Sequence, residues 1–212
     1  HKAHADTVAA MPRSTRILFV TLISVAVLGV GVLGFALVRM LTGDPATSTG
    51  FGEALIGGEF TLVDGTGTTR TDQDFRGELM LVYFGFTFCP DVCPTELQAM
   101  GQAVDLLGDK GEAVQPVFIT VDPERDTPEV VGQYVESFHP RMVGLTGTPE
   151  QVAAAAKAYR VYYRKAEVEG SSDYLMDHSS IVYLMGRDGK FLTHFSHGTS
   201  PQDMAKGISK HL

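Results

Sequence analysis

Cys89 and Cys93 are the only two cysteines in the chain. They stand in FGFTFCPDVCP, residues 84–94, with a proline after each. Such a pair can close a disulfide, cycle between thiol and disulfide, or hold a soft metal. A permanent staple is the poorest of these uses, because a five-residue loop constrains the unfolded chain little. Placed at a helix N-terminus, a cysteine feels the positive end of the macrodipole, and its thiolate is favoured. Thiolates are soft and select Cu(I) or Zn. A structural zinc site takes four ligands, and no histidine pair at zinc-finger spacing stands near these cysteines. Cu(I) is satisfied by two or three soft ligands. Cu(II) calls for an imidazole as well.

Of the seven histidines, His178 is the outstanding candidate. It lies in SSDYLMDHSSIVYL, just ahead of an apolar strand, with Asp173 and Asp177 in the same polar stretch. In a thioredoxin-like sheet that segment would sit beside the cysteine loop, and a neighbouring carboxylate could orient the ring. The same letters also suit a strand-end histidine with no ligand role. His1 and His4 precede a long apolar run, His139 follows a helix, and His194, His197 and His211 are near the C-terminus. Asp91, between the cysteines, could steer a cation, but it is first a turn residue after proline. VDPERDTP, residues 121–128, reads as a turn and helix cap rather than as a docking loop. Met176 reads as a core or loop residue.

Alternating elements must position these groups. FTLVDGTGTTRT predicts a hairpin. LMLVYFGF is solidly apolar, as a strand buried on both faces is. CPTELQAMGQAVDLLG predicts a helix with Leu97, Met100, Val104 and Leu107 on one face and Gly108 closing it. PVFITV is a second buried strand. DTPEVVGQYVESF is a capped helix, MVGLTG a short strand. TPEQVAAAAKAYRV opens with a capping box at Thr148 and Gln151. IVYLM-GRDG-KFLTHF is a strand, turn and strand, and SPQDMAKGISKHL a closing helix. The pattern is an α/β domain with a mixed sheet, and a buried strand running into Cys-x-x-x-Cys at a helix start is a thioredoxin-like arrangement.

The chain has 212 residues and a formal charge of −8. From residue 44 onward 13 basic side chains face 24 acidic ones, which argues against nucleic acid as a partner. Ile17 to Val38 is 22 residues without a charge, about 33 Å as a helix, enough for a bilayer core. It exceeds the apolar length of a signal peptide. Lys2, Arg13 and Arg16 precede it, so the N-terminus is expected inside and the C-terminal part exported. The expected organisation is an inside segment 1–16, a transmembrane anchor 17–41, a Gly/Thr/Ser-rich linker 42–58 and a folded domain 59–212. No Arg- and Ser-rich transit stretch precedes the span, which favours the periplasmic side of a bacterial inner membrane over the mitochondrial intermembrane space.

YFGFTFCPDVCP, DPERDTPE, VGLTGTPEQV and DYLMDHSSIVYLMGRDGKF, in this order, resemble the Sco/SenC family of copper chaperones for cytochrome c oxidase assembly. The resemblance runs from about Gly57 to Leu212. It implies a thioredoxin-like fold after a membrane anchor. It implies one copper, Cu(I) or Cu(II), bound by Cys89, Cys93 and His178. The implied partners are the copper-bearing subunit of cytochrome c oxidase and other copper chaperones. The implied role is delivery of copper to the dinuclear centre of that subunit, or reduction of the cysteines that receive it. The residues alone leave other uses open: a general thiol–disulfide oxidoreductase, a thiol peroxidase on the same fold, or a structural oxidase subunit.

Overall fold

The structure, a computed structural model, describes residues 55–167 and 173–212, with Thr21, Leu22, Ser24, Val27, Leu28, Gly29 and Gly31. Those seven positions are helical. The rest of the expected anchor, and nearly all of the linker, lie outside the described residues. Among the described residues no helix is long and apolar enough to cross a membrane.

The unit Ala54–Leu212 is built on a seven-stranded mixed sheet. In chain order its strands are β1 (Thr61–Asp64), β2 (Thr69–Thr71), β3 (Leu79–Gly85), β4 (Val114–Thr120), β5 (Val143–Thr146), β8 (Ile181–Met185) and β9 (Phe191–Ser196). They lie side by side as β2-β1-β5-β4-β3-β8-β9. The central β5, β4 and β3 are parallel. The flanking pairs are antiparallel. Parallel neighbours need crossovers, which α1 (Val92–Leu106) and α2 (Pro128–Glu136) supply. α3 (Pro149–Ala158) follows β5, and α4 (Pro201–Ser209) ends the chain packed on α1.

Every residue of β3 is buried. That is why LMLVYFG is apolar without alternation. α1 turns Cys93, Leu97, Met100 and Val104 inward, so the helical stripe that fills the core also seats one of the sulfurs. Among the described residues of this unit, three of the four α-helices start on a hydroxyl cap followed by proline: Thr127–Pro128, Thr148–Pro149 and Ser200–Pro201. Each cap hydroxyl accepts an orphan amide, and proline has no amide to leave orphaned. The predicted capping box of Thr148 and Gln151 is present.

One element departs from the sequence expectation. His178 does stand just ahead of β8, but the stretch that carries it is itself a strand, and His178 is its last residue. β6 (Tyr163–Glu167) and β7 (Tyr174–His178) form a separate antiparallel ribbon, with Tyr163 opposite His178 and Arg164 opposite Asp177. The letters YRKAE and YLMDH hide it because few of them need burial. Cross-strand pairs hold it instead, among them the ion pair of Arg164 and Asp177 at 2.9 Å.

Candidate metal centre

Cys89 ends a loop that leaves β3. Its amide donates to the Phe86 carbonyl at 3.3 Å, which turns the chain back toward the sheet. Cys93 sits in the first turn of α1, fully buried. Its amide donates to Cys89 Sγ at 3.3 Å, so the helix start is aimed at the first sulfur. From the end of β7, 85 residues further on, His178 Nε2 approaches Cys93 Sγ to 3.4 Å. The two sulfurs and an imidazole nitrogen all lie within 4.8 Å of one another.

The ring is oriented. His178 Nδ1 is 3.2 Å from the Ser179 carbonyl oxygen, which can only accept. Nδ1 is placed to donate to it, which turns Nε2 toward the sulfurs. Tyr83 and Phe86 meet the ring nearly edge to face, at centroid distances of 6.0 and 5.8 Å. The Tyr83 hydroxyl reaches Cys93 Sγ at 3.8 Å. Gly85 leaves the space that the sulfur fills: a Cβ there would lie 2.9 Å from Cys93 Sγ and 3.1 Å from Phe118.

The two thiols differ more than a shared helix dipole predicts. The hydrogen bond from Cys93 holds the Cys89 thiol well below the usual thiol range, against partial burial, with help from His178 and the amides of Cys93 and Asp91. The same hydrogen bond, seen from its donor, and burial push Cys93 up. One half-buried thiolate thus stands beside one buried thiol. Cys89 lies three residues ahead of α1, so hydrogen bonds to it, more than the helix dipole, favour its thiolate. For Cys93 burial and its thiolate neighbour override the dipole.

The donor set fits a soft cation. Metal–sulfur and metal–nitrogen bonds of about 2.3 and 2.0 Å place the two atoms roughly 3.4–3.9 Å apart across one ion, and the Cys93–His178 separation falls at that spacing. Among the described residues this is the one His/Cys/Asp/Glu group so arranged. Asp91 is the N-cap of α1 without a side-chain cap bond, and it is not part of the group. Met176 is buried in the core, as expected. His139 is buried and faces Asp105 at 3.5 Å. His194 stacks on Phe191, and His197 pairs with the buried Glu96 at 2.6 Å. His1 and His4 lie outside the described residues.

Sequence reasoning missed the supports. Tyr83, Gly85 and Phe86 read as parts of an apolar strand, and nothing in their letters marks them as the walls of a site. VDPERDTP does cap α2 through Thr127, but its acids and arginine also bind the loop and the ribbon that carry the ligands.

Comparison with known proteins agrees with the geometry. The model of the family described as SCO1/SenC matches residues 49–212. The human protein SCO1 homolog, mitochondrial, is 46% identical over 163 residues, which are 76% of this chain and 54% of that protein. The fission yeast (Schizosaccharomyces pombe) protein sco1 is 43% identical over 163 residues, 76% of this chain and 62% of that one. The chain thus spans between about half and two thirds of the curated relatives it matches. Arabidopsis thaliana ScoI, solved with copper bound, superposes with a TM-score of 0.70 at 44% identity, covering 74% of this chain and 97% of that one. Yeast Sco1 with copper bound gives 0.68 at 40% identity, covering 74% and 87%. With its thioredoxin-like mixed sheet and its Cys-Cys-His group, the chain belongs to the SCO1/SenC family.

Proposed function

We propose that this protein is a membrane-tethered copper carrier, in which Cys89, Cys93 and His178 hold one copper ion for delivery to the copper-bearing subunit of cytochrome c oxidase. The observation that carries this reading is the convergence of two sulfurs and an oriented imidazole within 4.8 Å. Copper is cargo here. Three ligands leave the ion open to attack by a partner's thiolates, so it can pass by ligand exchange. Cys89, half-buried and already a thiolate, binds first. Cys93 releases its proton as the ion enters. His178 adds a harder nitrogen that matters most for Cu(II). A span at 17–38 would confine the carrier to the membrane of its target and raise its effective concentration there. The domain then faces the periplasm or the intermembrane space.

Anaerobic Cu(I) and aerobic Cu(II) titrations of residues 45–212 test this. Cys89→Ser or Cys93→Ser should abolish tight Cu(I) binding and the sulfur-to-copper charge-transfer band. His178→Ala should spare much of the Cu(I) affinity and weaken Cu(II) by roughly tenfold or more. Unchanged Cu(I) affinity in the double serine variant would sink the proposal.

The unequal thiols favour a second reading, reduction of the oxidase cysteines before copper enters. The Cys89 thiolate attacks a partner disulfide and displaces one partner thiolate. Cys93 then loses its proton and attacks the mixed disulfide. This releases the second thiolate and leaves a Cys89–Cys93 disulfide, two electrons having passed to the partner. A Cys93→Ser variant should trap the mixed disulfide through Cys89. Trapping through neither cysteine removes this reading.

A further inference from the structure

The loop between β4 and α2 does more than cap a helix. Thr127 and Pro128 account for the cap and leave Asp122, Glu124, Arg125 and Asp126; Glu124 meets Lys165 of β6 at 2.6 Å. Asp126 is fully buried. Its carboxylate accepts the Thr87 amide at 3.0 Å and the hydroxyls of Thr87 and Thr120. Thr87 lies two residues before Cys89, so Asp126 anchors the cysteine loop to β4. Arg125 reaches the opposite way. Its Nε donates to Asp122, and its Nη1 donates to the Tyr174 carbonyl at 2.9 Å. The Tyr174 hydroxyl donates back to Asp122 at 2.8 Å. The guanidinium lies over the Tyr174 ring at 3.8 Å and over the Phe88 ring at 4.8 Å. Tyr174 opens β7, and His178 closes it. Phe88 precedes Cys89.

The ribbon needs such a tie. β6 and β7 pair with each other and with no strand of the main sheet. A lone two-stranded ribbon is marginally stable, so its contacts with the body decide where His178 falls. We infer that Arg125, held by Asp122 while Asp126 anchors the cysteine loop, is a positioning residue of the metal centre: it clasps the histidine ribbon to the cysteine loop and sets the reach of His178 to the sulfurs. Arginine suits the place because one planar group serves an acid, a carbonyl and two aromatic faces at once. A lysine ammonium cannot. The copper arm of the test rests on the carrier reading given above. The clasp itself does not.

Hydrogen exchange of the metal-free full chain tests the clasp directly. Arg125→Ala should speed exchange of the β6–β7 amides roughly tenfold and leave those of β3 and β4 unchanged. In the copper titrations Arg125→Ala should weaken Cu(II) roughly tenfold and change Cu(I) by no more than about threefold. Arg125→Lys should behave like Arg125→Ala. In a His178→Ala background the Arg125 substitution should have no further effect on Cu(II). If Arg125→Ala does not fold, Tyr174→Phe, which deletes one hydroxyl, should move ribbon exchange in the same direction by about threefold. Unchanged ribbon exchange overturns the inference, as does a full Cu(II) loss that persists without His178. A wild-type chain that binds no copper would count against the carrier reading, and the exchange data would still decide the clasp.

Discussion

Cys89 and Cys93 flank a helix start and share a hydrogen bond, yet their chemistry is opposite. The half-buried Cys89 is favoured as thiolate and the buried Cys93 as thiol. In the metal-free protein at pH 6, iodoacetamide should therefore alkylate Cys89 first, with Cys93 slower by roughly tenfold or more. Because the Cys89 pKa is lowered, its alkylation rate should hold up at pH values where an ordinary thiol has stopped reacting. Peptide mapping by mass spectrometry reads both results, and equal labelling would refute the asymmetry. Gly85 belongs to the same scale. A methyl group there meets Cys93 Sγ and the Tyr83 ring, each at 2.9 Å, and both are fully buried. Gly85→Ala should destabilise the fold by about 1–3 kcal/mol and displace the second sulfur. Denaturant unfolding and a weaker Cu(I) titration would show the two effects.

Elements carry these residues with unequal security. β3 and α1 are core: the strand is buried throughout, and the helix packs by its apolar stripe. The β6–β7 ribbon is held by exposed ion pairs and by the loop before α2. The β1–β2 hairpin shows how a polar element earns its stability. Asp64, almost fully buried, accepts from the amides of Thr66 and Thr68, the Thr66 hydroxyl and Arg70 Nε at 2.8 Å. Burial pulls its carboxyl up, but these bonds outweigh it and bring the pKa to about 2. A carboxyl whose folded pKa is depressed adds stability above its unfolded pKa, and that stability fades as pH falls toward the folded value. Asp64→Asn should thus lose about 2 kcal/mol at pH 7. The difference from wild type should shrink below roughly pH 4 and vanish only below about pH 2. Urea midpoints at the two ends of that range check the sign.

For the whole molecule the proposed tether is what turns a metal site into a carrier. The 22 uncharged residues from Ile17 to Val38 match a bilayer core in length. The full chain, expressed in a bacterium, should stay with membranes through a carbonate wash. A chain lacking 17–38 should be released while keeping its copper titration unchanged. Release of the full chain would remove the tether and leave the metal site as it is.

Most of the fold was legible along the chain, because β3, β4, α1 and the capped helices are local patterns: runs of apolar residues, helical spacing, hydroxyl–proline starts. The family resemblance was legible too, in short motifs kept in order. What the chain could not show is contact between segments far apart. The pairing of Tyr163 with His178 leaves no hydrophobic alternation to read. The reach of Arg125 to Tyr174, 49 residues on, leaves no local signal either. The split between the two thiols depends on which sulfur the folded chain buries. Sequence by itself determined which groups could hold a soft metal and which elements carry them. Tertiary structure decided that the imidazole meets the sulfurs and how they share a proton, because distance and burial exist only once the chain has closed on itself.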